Sequence, residues 1–410
     1  MRLDIDGRNC ELESGRSILD AVKKEGLDSI MLSDRPLAAQ IGGEVFNLRF
    51  TPKKDTQIHL LRYGEDMGRR VYERTLQFLF ILAMRKEFPR ARVCVRYSLG
   101  PGLFITVDGM EEPFNEEAAL KVETEMRRLV RLKLPLERRR ISIKEALSFY
   151  EQDGQADKAK LLKWRRFSYF DVYQIDGYMD YFYGEMAPDT SYADVFRVKY
   201  VHDGAVVLLM PRNDAPDVPS DYVDLPKLHA VFHQSDEWGK LMECATVNDL
   251  NTHIQNGTIR ELVRINEALH DRGYADIADK IVQKGAKAVL VAGPSSSGKT
   301  TSAHRISTQL RLQGCHPVML SLDDYYIDRD KIERDENGEI DLENINTLDI
   351  QRFGSDLAAL IRGEKVEVPR FDFTNGKRAP EGRILQLHDD EPVIIEGIHG
   401  LNPMLLSPEA

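Results

Sequence analysis

Ala288-Val289-Leu290-Val291-Ala292-Gly293-Pro294-Ser295-Ser296-Ser297-Gly298-Lys299-Thr300-Thr301 carries an apolar run straight into a glycine-bounded loop that closes on Lys-Thr-Thr. The pattern predicts a strand, a phosphate cradle and the first turn of a helix. Gly293, four residues, then Gly298-Lys299-Thr300 is the P-loop spacing, because backbone N–H groups can face phosphate oxygens only where Cβ atoms do not obstruct them. On this reading Gly293, Ser295, Ser296, Ser297, Gly298, Lys299, Thr300 and Thr301 hold ATP. Lys299 reaches the β- and γ-phosphates, and the Thr300 hydroxyl ligates Mg²⁺.

Downstream, residues 300–313 place Ala303, Ile306 and Leu310 on one helical face, and Gly314 supplies the stop. Residues 317–322 then read as a buried strand. A strand-helix-strand unit is right-handed and parallel, so the second strand opens on the phosphate side of the sheet. Asp323 and Asp324 emerge there, and a carboxylate so placed can orient and deprotonate an acceptor hydroxyl. A third apolar strand, residues 392–397, ends on Glu396, the pattern of a Walker-B-like strand that holds Mg²⁺ directly or through water. The three strand ends are expected to converge, with Asp323 and Lys299 as the catalytic pair.

A chain of 410 residues with 42% hydrophobic and 30% charged residues has room for several cores, and its net charge of −11 argues against a nucleic-acid coat or a general membrane-surface binder. The start, Met1-Arg2-Leu3-Asp4-Ile5-Asp6, has no apolar leader, and the longest apolar run, residues 78–84, falls far short of a membrane span. No membrane partner and a cytoplasmic location are the expectation. Cys10, Cys94, Cys244 and Cys315 form no CxxC pair, which argues against a zinc knuckle and predicts four small buried hydrophobes.

Residues 1–62 alternate short β-like runs with one helix capped by Ser17, a β-grasp pattern. Residues 63–224 read as α+β. They hold a helix over 71–88, strands at 92–97 and 102–108, a charged helix over 115–132 and an aromatic stretch from Tyr169 to Tyr183 read as packing. The basic run through Arg138-Arg139-Arg140 reads as a solvated helix face. Residues 225–284 are a helical linker, and His229 and His233 within it are read as holding no metal. Residues 285–410 form a parallel α/β sheet of the P-loop NTPase kind. The fold class is therefore multidomain, α/β and α+β.

Two resemblances follow. Residues 1–62 resemble a TGS domain, and residues 66–220 resemble the editing domain of threonyl-tRNA synthetase through Val71-Tyr72-Glu73-Arg74-Thr75-Leu76 and Gly184-Glu185-Met186-Ala187-Pro188-Asp189-Thr190. That family edits with a His-x-x-x-His pair on the domain's first helix and a later Cys-x-x-x-His pair, and the matching positions here are Arg74 and Phe78, then Phe182 and Met186. Neither metal ligation nor imidazole proton transfer is available from these side chains, so the resemblance implies a half that does not edit.

The rest resembles the uridine kinase and phosphoribulokinase family, in its members with a TGS and editing-like N-terminal half. The motifs are residues 293–301, Ser321-Leu322-Asp323-Asp324-Tyr325-Tyr326, Asp341-Leu342-Glu343, Pro369-Arg370-Phe371-Asp372-Phe373 and Ile395-Glu396-Gly397-Ile398. The resemblance implies a Mg²⁺- and ATP-dependent nucleoside kinase. Asp323 would be base on the 5′-hydroxyl, Tyr326, Phe371 and Phe373 would line the acceptor pocket, Glu343 would sit on the ribose diol and Glu396 in the Mg²⁺ shell. Phe371 and Gly376 stand where the family offers a Tyr and a His to the pyrimidine, which leaves base identity open. The family's arginine-bearing lid and last strands are expected beyond Ala410, so the sequence reads as a fragment with an incomplete sheet, and oligomerisation stays open. Two alternatives stand: a kinase of another small alcohol, and an RNA- or tRNA-associated protein whose N-terminal half is controlled by a P-loop nucleotide switch.

Overall fold

The computed structural model describes residues 1–332, 334, 340–388 and 391–406; of the terminal stretch 402–410, residues 407–410 lie outside the described residues. The chain divides into two units, Met1–Thr252 and His253–Ala410.

In the first unit, strands β1 (Arg2–Ile5), β2 (Arg8–Glu11), β3 (Ala38–Ile41), β4 (Glu44–Phe46) and β5 (Thr56–Leu61) form one sheet in the order β2-β1-β5-β3-β4. Helix α1 (Ile18–Lys24) starts on a capping box, Ser17 and Asp20 each satisfying the other's backbone N–H. It buries Ile18, Leu19, Ala21 and Val22 in a core with Leu3, Ile5, Ile58 and Leu60. The sequence pattern misses β2 because its residues, Arg-Asn-Cys-Glu, give no apolar alternation beyond buried Cys10.

Helix α2 (Asp66–Glu87) and helix α3 (Glu116–Leu132) cover one face of an antiparallel sheet. Its strands are β6 (Arg92–Leu99), β7 (Gly102–Asp108), β11 (Arg197–His202) and β12 (Ala205–Leu209), in the order β11-β12-β7-β6. The strand period of two is visible along β7. Leu103, Ile105 and Val107 join the helical core, whereas Phe104 faces the opposite side with Val207 and Leu209. On that opposite side helix α6 (Pro226–Leu241) stacks Phe232 on Tyr97 at 4.2 Å between ring centroids. Of the four cysteines expected to be buried only Cys10 is: Cys94 is exposed on β6, the outer strand of its sheet, and Cys244 and Cys315 are half-buried.

Strands β8 (Glu137–Ser142), β9 (Tyr169–Ile175) and β10 (Tyr178–Asp180) form a third sheet with helices α4 (Ile143–Gln152) and α5 (Ala156–Leu162). Arg138-Arg139-Arg140 therefore lies on an edge strand and not on a helix face. Pairing with a neighbouring strand overrides the local charge pattern: Arg138 and Arg140 both bond Asp171, and Arg139 bonds Gln174. The unit continues through a short ribbon, β13 (Pro211–Arg212) and β14 (Ala215–Pro219), to α6 and to α7 (Val247–Gln255), which crosses the division.

In the second unit helix α8 (Ile259–Lys284) leads into β15 (Ala288–Val291), α9 (Lys299–Leu312), β16 (Val318–Ser321), α10 (Ile350–Ile361), short strands β17 (Val366–Val368), β18 (Phe371–Asp372), β19 (Lys377–Arg378) and β20 (Arg383–Leu385), and β21 (Val393–Glu396). The parallel sheet has the order β15-β21-β16, so the last strand inserts between the two that the sequence makes consecutive. Ile394 points toward α8 and α9 with Ala303, Ile306 and Leu310, while Val393 and Ile395 point toward α10 with Phe353 and Leu357. Both faces are covered, which is why these strands read as continuous apolar runs. Among the described residues no helix is long and apolar enough to cross a membrane.

Candidate active site

Register fixes the site. Val291 pairs with Glu396 and Ser321 pairs with Glu396, so the three parallel strands end level with one another. Beyond β15 the chain turns through Ser296 at φ +60 and Gly298 at φ +85, the latter being the N-cap of α9. A Cβ on Gly293 would lie 2.6 Å from the Ser297 hydroxyl, so the cradle closes only around glycine. Lys299 folds its ammonium back onto the Pro294 carbonyl at 2.9 Å, across the loop.

Glu396 is a buried carboxylate at 8% exposure, and both of its oxygens are engaged. Thr300 Oγ1 donates to Oε2 at 3.3 Å, and Ser321 Oγ donates to Oε1 at 2.9 Å. A hydroxyl and a carboxylate meeting at the mouth of a phosphate loop form a hard-oxygen set of the type Mg²⁺ takes. The chain thus has the groups to hold that ion at Thr300 and Glu396. In the sequence Ser321 appears only as the first residue of the motif Ser321-Leu322-Asp323-Asp324-Tyr325-Tyr326, with no role of its own.

Asp323 and Asp324 stand in the turn after β16, with the Asp323 N–H donating to Ser321 Oγ at 3.3 Å. Burial, then the negative charge of Glu396, holds the Asp323 carboxyl above its ordinary range, and Lys299 pulls the other way. Asp324 accepts from the Phe371 N–H at 3.3 Å and so ties β18 to the base turn.

Tyr326, Phe371 and Phe373 form an aromatic cluster with ring centroids 5.1 to 6.1 Å apart. With Ile327, Arg329, Ile332 and Leu342 they line a cavity of about 70 Å³. The Tyr326 hydroxyl donates to the Leu342 carbonyl, next to exposed Glu343, at 3.2 Å. Arg378 was also missed in the sequence: it bonds the Tyr326 carbonyl at 3.2 Å and Asp349 at 2.9 Å, pinning the acceptor-side loops together. The structure thus brings Lys299, Thr300, Asp323 and Glu396 to one strand end, and groups Tyr326, Phe371 and Phe373 around a separate cavity.

In the first unit, Arg74 donates to the Glu185 carbonyl at 2.6 Å, and Gly184 leaves room for its guanidinium, which a Cβ there would meet at 2.8 Å. Phe78 is fully buried, with its ring 5.3 Å from that of Phe182 and 6.1 Å from that of Tyr178, and Met186 is fully buried as well. These four side chains fill space and offer no donor set for a metal.

Residues 288–403 match the Phosphoribulokinase / Uridine kinase family. That span takes in the P-loop, Asp323, the aromatic cluster and Glu396, and the likeness is to P-loop kinases. The N-terminal half is similar to threonine–tRNA ligases. One from Clostridium kluyveri is 25% identical over 194 residues, 47% of this chain and 30% of that protein. Another from Acetivibrio thermocellus is 28% identical over 160 residues, 38% of this chain and 24% of that protein. The chain therefore spans less than a third of these relatives. A solved structure described as a possible uridine kinase from Bacillus stearothermophilus is 25% identical, covering 31% of this chain and 70% of that one with a TM-score of 0.25.

Proposed function

We propose that the second unit is an ATP-dependent kinase that transfers the γ-phosphoryl group to the 5′-hydroxyl of a ribonucleoside. The observation that supports this reading is the level ending of three parallel strands, with Thr300 bonded to Glu396 and Lys299 and Asp323 in the turns that follow β15 and β16. A nucleotide switch needs the first three groups but has no use for a carboxylate facing an acceptor.

In this mechanism the P-loop N–H groups and Lys299 hold the β- and γ-phosphates, and Asp323 takes the proton of the acceptor hydroxyl. The acceptor O–P bond forms as the bond from γ-phosphorus to the β–γ bridging oxygen breaks, and ADP leaves. Mg²⁺, when bound at Thr300 and Glu396, neutralises charge on the phosphate oxygens. Tyr326, Phe371 and Phe373 stack on the nucleoside, and Glu343 accepts from its ribose diol. With few polar atoms in the lining, the cluster gives stacking without edge-on reading of the base, so discrimination among bases is weak.

Residues 1–62 are, in this proposal, a TGS-like domain and residues 63–224 an editing-like domain that does not edit, because Arg74, Phe78, Phe182 and Met186 occupy the positions where a hydrolytic site needs His and Cys. The protein works in the cytoplasm without a membrane partner.

The deciding experiment incubates the protein with Mg²⁺-ATP and a panel of nucleosides and reads products by mass spectrometry. A nucleoside monophosphate with matching ADP, lost in Lys299→Ala and in Asp323→Ala, is the expected result. Nucleotide binding with no phosphorylated acceptor would overturn the kinase reading.

A further inference from the structure

His399 is not used by this mechanism, yet its turn packs between the end of β15 and the residue before Asp323. It lies in the turn after β21, and that turn is clamped at both ends. On one side Gly397 packs so tightly on Leu322, the neighbour of Asp323, that a Cβ would fall 2.6 Å from the Leu322 Cβ. On the other side Gly400 packs on the end of β15, where a Cβ would fall 3.3 Å from both the Val291 carbonyl and the Ala292 Cβ. The turn is closed by the Gly400 N–H donating to the Gly397 carbonyl at 3.1 Å, and the Asn402 N–H donates to the His399 carbonyl at 2.8 Å. His399 is thereby held between the entry to the phosphate loop and the base turn.

Its Nε2 is buried and has no hydrogen-bond partner among the described residues. A buried imidazole nitrogen left without a partner is costly to the fold, so such a group persists where a partner arrives from outside. The imidazole is also close enough to Asp323 to act on its carboxyl electrostatically, in the same sense as Lys299.

Resting on the kinase reading, we propose that His399 is a catalytic residue of the second unit, its Nε2–H donating a hydrogen bond to a non-bridging oxygen of the transferring phosphoryl group. Charge spreads onto those oxygens in a loose transition state, and a donor preorganised beside them lowers the barrier without itself gaining or losing a proton. The acceptor proton still goes to Asp323. Lys299 and His399 then hold the phosphoryl group from two sides.

Two measurements test this. In histidine-labelled protein, with the His399 signal assigned by its loss in His399→Gln, the Nε2 resonance should move on adding Mg²⁺-ADP with fluoroaluminate, a phosphoryl mimic, and stay in place with Mg²⁺-ADP alone. If the amides of Gly298 and Lys299 respond but His399 does not, the assignment is overturned. If those amides do not respond either, the kinase reading itself fails and the assignment falls with it. In turnover, His399→Leu should lower kcat by about 10²-fold while KM for ATP changes less than about twofold, and His399→Gln, which keeps a donor, should regain about tenfold. Equal loss in both variants would mark a packing role and overturn the proposal.

Discussion

Gly397 has no room for a side chain, since a methyl group there would enter the Leu322 side chain that supports Asp323. Gly397→Ala should therefore push the base turn away from the P-loop and destabilise the second unit by about 1–3 kcal/mol, as overpacked sites do, which chemical denaturation would register. An unchanged midpoint would mean that the turn gives way freely. At Asp323 the sign of the pH effect follows from its surroundings. Burial first, and Glu396 next, raise its pKa above the ordinary 3.8, and only the ionised form can take the acceptor proton. Product formation should accordingly rise with pH along an acid limb centred above 3.8, read as kcat/KM at saturating Mg²⁺-ATP, and a limb at or below that value would remove Asp323 as the base. The phosphate loop was legible in the sequence because its chemistry is local: glycine, lysine and threonine at fixed spacing. The partners of Ser321 were not, because they depend on register across three strands spread from residue 288 to residue 396.

Helix α2 shows how an element can keep its place while its chemistry changes. Its apolar face, with Val71, Leu76, Phe78, Leu79 and Leu82, is buried throughout, and Phe78 stands where the resemblance to editing domains places an imidazole. Phe78→Ala should cost the first unit about 3–5 kcal/mol, the usual penalty for emptying a buried aromatic site, measured as a lowered denaturation midpoint. Just before α2, His59 on β5 is held between Glu65, the N-cap residue of the helix, at 2.6 Å and Asp6 at 2.9 Å. The Glu65 hydrogen bond, then that of Asp6, raises the imidazole pKa above 6.5. A raised histidine contributes stability that is full below the unfolded value and is lost as pH rises through the folded one. The first unit should thus lose stability as pH rises above 6.5, and His59→Gln should flatten that slope. Helices were the readable elements, because Ser17, Asn115 and Ser142 cap them visibly. The edge strands β2 and β8 were not, because a strand with one polar face and a charged edge carries little periodic signal.

At the scale of the whole molecule, each unit has its own interior. The first is built around the core shared by α2, α3 and the β11-β12-β7-β6 sheet, and the second around the two sides of the β15-β21-β16 sheet. The sequence announced several modules through its length and its change of pattern, but the division at Thr252 and His253 falls within a helical stretch where composition hardly shifts. Units with separate cores are expected to unfold in separate transitions. Ligand that binds one folded unit and not its unfolded chain stabilises that unit alone, by about 2.7 kcal/mol at a hundred times Kd. Mg²⁺-ATP should therefore raise one of two calorimetric transitions, the one that Gly397→Ala lowers, and leave in place the one that Phe78→Ala lowers. Lys299→Ala should abolish the shift without moving either transition in the absence of nucleotide, because the hydrogen bond that Lys299 makes among the described residues is to the Pro294 carbonyl of the loop it serves. A shift of both transitions together would mean that nucleotide binding is transmitted to the N-terminal half, and the two halves would then have to be read as one regulated protein and not as a kinase carrying a silent domain.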